Sequence, residues 1–588
     1  MYSRPSISRS ILLALAAGNT ALAALNGHCP PLGPVLPAPI NPSTHEPVKS
    51  AVQNVTDDLQ DLVADLDSTG ISIAVKSIHE ANQLLELHHT PSILNPNGTS
   101  VITSESVYRL GSISKIFAVL SLLQHSNVKL DDPITDYVPE LLELRGETDE
   151  VDDITTVRWN EVTLGSLASH MSGISTDLVS DLATVPADWT KVGFPTLDSS
   201  SKTGCAGVLG LPACNRTQFF RDFGKRHPVY APFTNPVYSN VASVILGFAV
   251  EAITNTTYDN YVKQAIFTPL GMMNTTIFNG PEKNAWGFIP VNETWWGSTL
   301  GYEDIAGGFY SNTRDLLSFG TGILNSTVLD AAKTRKWMKP ASSTSSSGLL
   351  MGGPWEILRS STITKDKRLI ELYCKAGNLN TYNNMLCLIP DYGLVITILS
   401  GGPQSNADLV DTALTKVVQG LLPAIEDAGK AEARPKFAGI YADAATNSSV
   451  TLSLADSDDA PGIAVSRWLV RGVDVIENYA SFAALSSSPK DRPVSVRLYP
   501  TNLRAPSCGK VAWRAVFDVG TPEEIATKEA NSFWPDAGCH TWGSMDRLTY
   551  GFRSMDEFVF ELGVEGDGEG EATGVELRAF RVVLKREG

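Results

Sequence analysis

Ser112-Ile113-Ser114-Lys115 heads an apolar run that continues from Ile116 to Leu123. In a helix, residues three apart share a face, so the Ser112 hydroxyl and the Lys115 amine can meet there. That matters because a serine hydroxyl is a weak nucleophile until a neighbour activates it. The same spacing recurs at Ser199/Lys202 and Ser487/Lys490, both in Ser-rich, loop-like stretches, so the tetrapeptide gains meaning only from what accompanies it. Two further groups do. Tyr238-Ser239-Asn240 lies in a Pro-containing turn before an apolar helix at 241–253, and Lys375-Ala376-Gly377 ends a strand-like run. A phenol held near two ammonium groups has its pKa pushed down, so Tyr238 can take the serine proton and return it to a leaving group. Asn240 supplies hydrogen bonds to the lysine or the substrate amide, and Lys375 adds positive charge suited to a substrate carboxylate. Sequence leaves open whether Lys115 or Tyr238 is the base.

Rigid elements must position these groups. Apolar Val55, Leu59, Leu62, Val63 and Leu66 predict a helix over 55–66, after a Pro-rich extended arm at 24–50. Residues 70–75 and 84–88 alternate like paired strands, 129–270 mix short helices with loops, and 368–375, 384–389 and 394–400 form a meander. An amphipathic helix follows at 405–425, with Leu409, Leu414, Val417, Val418, Leu421 and Leu422 as its stripe. Helix, strands, helical insert, strands and helix indicate an α+β domain over 51–425, an antiparallel sheet flanked by helices plus a mainly helical subdomain. Residues 426–435 read as a linker. Short strands recurring over 436–588 predict a separate all-β domain, with the Gly/Glu tract at 563–574 as a flexible acidic loop.

The 588 residues carry a formal charge of −18 without a Lys/Arg cluster, which disfavours nucleic acid or anionic membrane partners. Residues 1–23 read as a secretory signal peptide: basic Arg4 and Arg9, an apolar core at 11–18 and a small-residue cleavage site at Ala21-Leu22-Ala23. Without it the charge becomes −20, the two arginines being subtracted from −18. No later apolar run is long enough to span a bilayer. Eight glycosylation sequons, at Asn54, Asn97, Asn215, Asn255, Asn274, Asn292, Asn325 and Asn447, agree with export and a secreted, extracellular glycoprotein. Seven cysteines in an exported chain predict disulfides. The expected pairs are Cys205 with Cys214, Cys374 with Cys387, and Cys508 with Cys539, leaving Cys29 unpaired. The nine histidines include no His-x-His or His-Glu-x-x-His spacing, and no metal or other cofactor is expected.

In order and spacing, Ser112-x-x-Lys115, Tyr238-x-Asn240 and Lys375-Ala376-Gly377 resemble the three active-site elements of the serine β-lactamase and penicillin-binding protein superfamily, in its class C (Tyr-x-Asn) branch. Leu167-Ala168-Ser169-His170-Met171-Ser172-Gly173, Pro269-Leu270-Gly271-Met272 and Ala306-Gly307-Gly308-Phe309-Tyr310-Ser311 resemble the family too. The resemblance covers about residues 50 to 425, and the C-terminal part resembles the β-rich appendage of long, secreted fungal members. It implies acyl transfer through Ser112, an oxyanion hole of the Ser112 and Asn378 backbone N–H groups, and substrate binding along the strand edge at Gly377. The implied substrate is a small ester, amide or peptide. A transesterase of a natural-product pathway and a non-catalytic penicillin-binding-like protein are the alternatives. Two departures stand out: Ala376 replaces a usual hydroxyl residue, and Gly377 is followed by Asn378-Leu379-Asn380-Thr381-Tyr382, where relatives commonly place Gly just before the aromatic.

Overall fold

The computed structural model describes residues 28–588 apart from 145–151, 179–180, 207–209, 278–285, 456–458, 483–493, 506, 508, 535 and 566–567. The expected signal peptide at 1–23, Cys508 and the Ser487/Lys490 match therefore lie outside the described residues. The chain forms two compact units, one of Ala38–Ser360 with Ile370–Ala428, the other of Ser361–Leu369 and Gly429–Gly588 with the residues up to Pro37.

In the first unit the expected extended arm ends early. A 3-10 turn at Pro42–Thr44 leads into helix α1 (Glu46–Val63). Proline fits the first helical turn, where its missing N–H is not needed, so Pro47 starts this helix. Eight antiparallel strands follow: β1 (Gly70–Ser77), β2 (Gln83–His89), β3 (Ser342–Ser343), β4 (Leu349–Met351), β5 (Glu356–Ser360), β6 (Ile370–Leu379), β7 (Tyr382–Ile389) and β8 (Leu394–Gly401). They are ordered β2-β1-β8-β7-β6-β5-β4-β3. β7 and β8 are buried along their whole length, which is why they read as continuous apolar runs rather than alternating ones. Strand β5 pairs with β6 only up to Cys374, opposite Glu356, so residues 375–379 run on beyond that neighbour.

Helix α2 (Ser114–Leu123) is apolar all round and buried from Ser114 to Leu122, the pattern of a core helix. It packs on helix α3 (Asn240–Thr254), which is buried from Val241 to Val250. Helix α4 (Thr313–Leu324) lies against β1 and β8. Helix α5 (Ala407–Phe437) continues through 426–435, so the expected linker is helical. Its Glu, Ala, Lys and Arg residues are strong helix formers, and Pro435 lies only in the last turn.

The second unit is a closed antiparallel barrel of β9 (Gly439–Asp443), β10 (Ser448–Ser453), β11 (Ile463–Val470), β12 (Val494–Ala505), β13 (Lys510–Val519), β14 (Glu557–Glu565), β15 (Gly568–Leu577) and β16 (Val582–Arg586). The order β10-β9-β16-β15-β14-β13-β12-β11 closes through pairing of β11 with β10, which leaves none of the eight as an open edge. Trp468, Trp513, Phe558 and Phe560 fill its core. Apart from 566–567, which lie outside the described residues, the acidic tract expected as a loop belongs instead to β14 and β15, whose register shifts between Glu561 and Leu562 and between Leu562 and Val564 absorb its irregularity.

Cys205–Cys214 and Cys374–Cys387 are disulfides as expected. The expected Cys508–Cys539 pair is not formed: Cys539 bonds Cys29. Asp518 holds Cys29 in place, accepting from its backbone N–H at 3.3 Å while its other oxygen lies 2.9 Å from His28 Nδ1. Spacing alone cannot reveal such a long-range pairing. Cys374 and Cys387 face each other across β6 and β7, one residue before Lys375. Replacing both by alanine is expected to cost about 3 kcal/mol of stability, the value for a short closed loop, read as a shift in the denaturant midpoint.

Candidate active site

Ser112 sits in a 3-10 turn, Gly111–Ile113, that feeds directly into α2. The Ser114 hydroxyl fixes this turn, donating to Gly111 O at 2.7 Å and accepting from Phe309 N at 3.3 Å. Ser112 is half-buried and Lys115 fully buried. Lys115 Nζ donates to Ser112 Oγ at 2.8 Å and to Ala306 O at 2.9 Å. The family-like Ala306-Gly307-Gly308 stretch thus contributes a backbone acceptor. The competing match at Ser199/Lys202 is an exposed 3-10 turn, Ser199–Ser201, rather than the head of a buried helix.

Tyr238 enters from the turn before α3, where the Ser239 side chain caps the helix. Its ring lies 4.9 Å from Lys115 Nζ and 5.3 Å from Lys375 Nζ, and it stacks on His170 at 4.6 Å. The side chain is 37% exposed, while its hydroxyl end lies near Ser112 and Lys115. Burial acts to raise the phenol pKa, but the charges of Lys115 and Lys375 outweigh it and hold Tyr238 below the ordinary tyrosine range. Lys115 is itself lowered, by burial first and by Lys375 as well, against the opposing pull of Tyr238.

Strand β6 brings in Lys375, Gly377 and Asn378. A Cβ on Gly377 would lie 2.0 Å from Leu110 O, and one on Gly111 (φ +58°) would lie 2.6 Å from Asn378 N. Only glycine allows this approach, which sets the strand against the Ser112 turn and brings the backbone of Asn378 against Gly111, the residue before Ser112. Asn384 fastens the arrangement from β7, donating to Arg109 O at 2.8 Å and Gly377 O at 3.3 Å. The structure therefore gathers Ser112, Lys115, Tyr238, Lys375, Gly377 and Asn378. Asn240 turns elsewhere: its amide donates to Asp177 Oδ2 at 3.0 Å.

Three neighbours, Glu356, Asp177 and Glu303, escaped the sequence reading. Glu356 forms an ion pair with Lys375 and accepts from Ala376 N at 2.9 Å. Buried Asp177 and Glu303 lie behind Asn240 and Lys115, and burial with the nearby Asp177 charge pushes Glu303 up to about 8. His170, from the family-like stretch at 167–173, accepts Ser239 N–H on Nδ1 at 3.2 Å, which puts the proton of the neutral ring on Nε2. A single carboxylate in an apolar strand, Glu356 in Trp355-Glu356-Ile357-Leu358, was the available signal. Beside Tyr238 lies a cavity of about 460 Å³ lined by His170, Pro236, Leu349, Met351 and Glu356, among others.

Two outcomes follow from this packing. Gly377→Ala forces the strand off Leu110, and such overpacking should cost about 1–3 kcal/mol of stability, read as a shift in the denaturant midpoint. Burial first, then Lys115 and Lys375, hold His170 at about 3 against its ordinary 6.5. As pH falls below 6.5 the unfolded chain takes up that proton and the folded one does not, so stability drops toward the folded value of about 3. His170→Gln should flatten this part of the stability–pH curve, measured by urea unfolding between about pH 6.5 and pH 4.

Residues 94–419 match the Beta-lactamase family model, and residues 429–588 match the model described as Beta-lactamase-like-like, C-terminal domain. A Beta-lactamase-like protein of Arthroderma benhamiae is 31% identical over 607 aligned residues, covering 97% of this chain and 98% of that one. A Probable hydrolase M10 of Phoma sp. is 24% identical, covering 88% and 84%. Among solved structures, a Beta-lactamase/D-alanine Carboxypeptidase from Yersinia pestis aligns at a TM-score of 0.47 and 16% identity, over 63% of this chain and 99% of that one. With the family model spanning more than half its length and a relative of 31% identity along nearly all of it, the chain belongs to the β-lactamase family.

Proposed function

We propose that this protein is a serine hydrolase that acts through a Ser112 acyl-enzyme on small esters, amides or peptides. The observation that carries this is the 2.8 Å contact of Lys115 Nζ with Ser112 Oγ, beside a tyrosine flanked by two ammonium groups. Lys115 holds the serine and stabilises negative charge on Tyr238. The Tyr238 phenolate takes the hydroxyl proton as Ser112 Oγ attacks the carbonyl carbon. The backbone N–H groups of Ser112 and Asn378 receive the oxyanion. When the bond to the leaving group breaks, Tyr238 passes it the proton. A water or an alcohol then gives its proton to Tyr238 and attacks the acyl carbon, and Ser112 leaves with that proton.

Export as a glycoprotein belongs to the same proposal. Three disulfides suit an oxidising compartment, and no single helix among the described residues is long and apolar enough to cross a membrane. Seven of the eight sequon asparagines are exposed, while Asn274 is half-buried with its amide on Glu105 at 2.6 Å, so Asn274 is the poorest acceptor.

A labelled fluorophosphonate should mark Ser112 by peptide mapping, and Ser112→Ala should abolish the label. An unlabelled wild type would overturn the proposal. The pH profile of kcat/KM should be bell-shaped. It rises as Tyr238 ionises below its ordinary 10.0 and falls as Lys115 loses its proton below its ordinary 10.5. Tyr238→Phe should lower kcat/KM by about 10²–10⁴-fold and remove the rising limb.

A further inference from the structure

A lysine at the edge of an acyl-transfer cleft is suited to a substrate carboxylate, but here the chain supplies that carboxylate itself. Lys375 is buried to 1% exposure. Its Nζ is taken by Glu356 Oε1 and by Ala376 O at 2.8 Å, while Glu356 Oε2 takes the neighbouring Ala376 N–H at 2.9 Å. One internal carboxylate thus occupies both the ammonium and the backbone donor. Residue 376 is alanine, so it offers no side-chain hydroxyl either. The charged residue that lines the cavity beside Tyr238 is Glu356, and no lysine or arginine lines it among the described residues.

We propose that Glu356 makes this cleft select substrates whose leaving group is uncharged and reject those carrying a carboxylate there. This rests on the Ser112 acyl-enzyme reading. The leaving group is the side concerned because Tyr238, which returns its proton, lies next to Lys375. An incoming carboxylate would meet Glu356 at close range and find no lysine or arginine in the cavity lining, and such like-charge contact is how sites exclude a competitor. The cavity walls of Pro236, Leu349 and Met351 suit an apolar group instead.

The test compares phenyl butyrate with 3-carboxyphenyl butyrate, which share an acyl group and differ in the charge of the phenol released. The wild type should favour the phenyl ester by about tenfold or more in kcat/KM. Glu356→Gln keeps the hydrogen-bonding shape and leaves the Lys375 charge uncompensated, so the preference should shrink to about twofold or reverse. Any effect of the substitution on Tyr238 acts on both esters and cancels in the ratio. Equal or faster turnover of the carboxyphenyl ester by the wild type overturns the proposal, as does an unchanged ratio in E356Q. If E356Q does not fold, the wild-type ratio decides alone. Intact-mass spectra separate the two levels: butyryl-Ser112 from both esters at equal rates removes only this inference, whereas no acylation from either removes the proposed function as well.

Discussion

Two ammonium groups, Lys115 and Lys375, are buried within a few ångströms of one phenol, and the first unit is arranged around keeping both of them there. Burying a charge is costly unless hydrogen bonds and counter-charge replace water. Lys115 is compensated by dipoles, the Ser112 hydroxyl and the Ala306 carbonyl, and by the phenol it faces. Lys375 is compensated by a full carboxylate. The difference matters chemically. A dipole-bound ammonium leaves its field free to act on Tyr238 and Ser112, whereas a paired one acts with a weakened field. Tyr238 thus receives a graded potential from two cations of the same type.

Placing these charges requires the β6 edge and the Ser112 turn to approach more closely than side chains permit. Gly111 and Gly377 remove the obstacle, and Asn384, reaching across from β7, holds both sides. The approach of the strand edge to the Ser112 turn is therefore a property of backbone packing. It is tied to the sheet through a paired strand and to the helical part through the 3-10 turn at the head of α2.

Much of this was legible because local pattern and global fold agree. Ser112 precedes an apolar helix, Tyr238 a capped one, and Lys375 lies in a strand next to Cys374, which faces Cys387 across a hairpin. What was not legible came from residues that meet only in three dimensions. Glu356 reaches Lys375 because β5 pairs with β6 in a register set by the sheet, and Asp177 and Glu303 converge from a loop and a 3-10 turn far apart in sequence. Composition misled in two places. The EDAGKAEARP stretch looked like a polar connection, yet its residues favour helix and extend α5. The Gly- and Glu-rich tract looked like a solvated loop, yet a barrel strand exposes one face and tolerates acidic residues there.

The bond between Cys29 and Cys539 closes a covalent circuit, since its two ends are 510 residues apart in sequence. A peptide bond hydrolysed anywhere inside that circuit opens the ring without dividing the molecule. The two pieces stay joined until a reductant also acts. In an oxidising medium that contains proteases, a nicked chain therefore keeps its fragments at high effective concentration for one another, and re-pairing of the cut segments competes with loss.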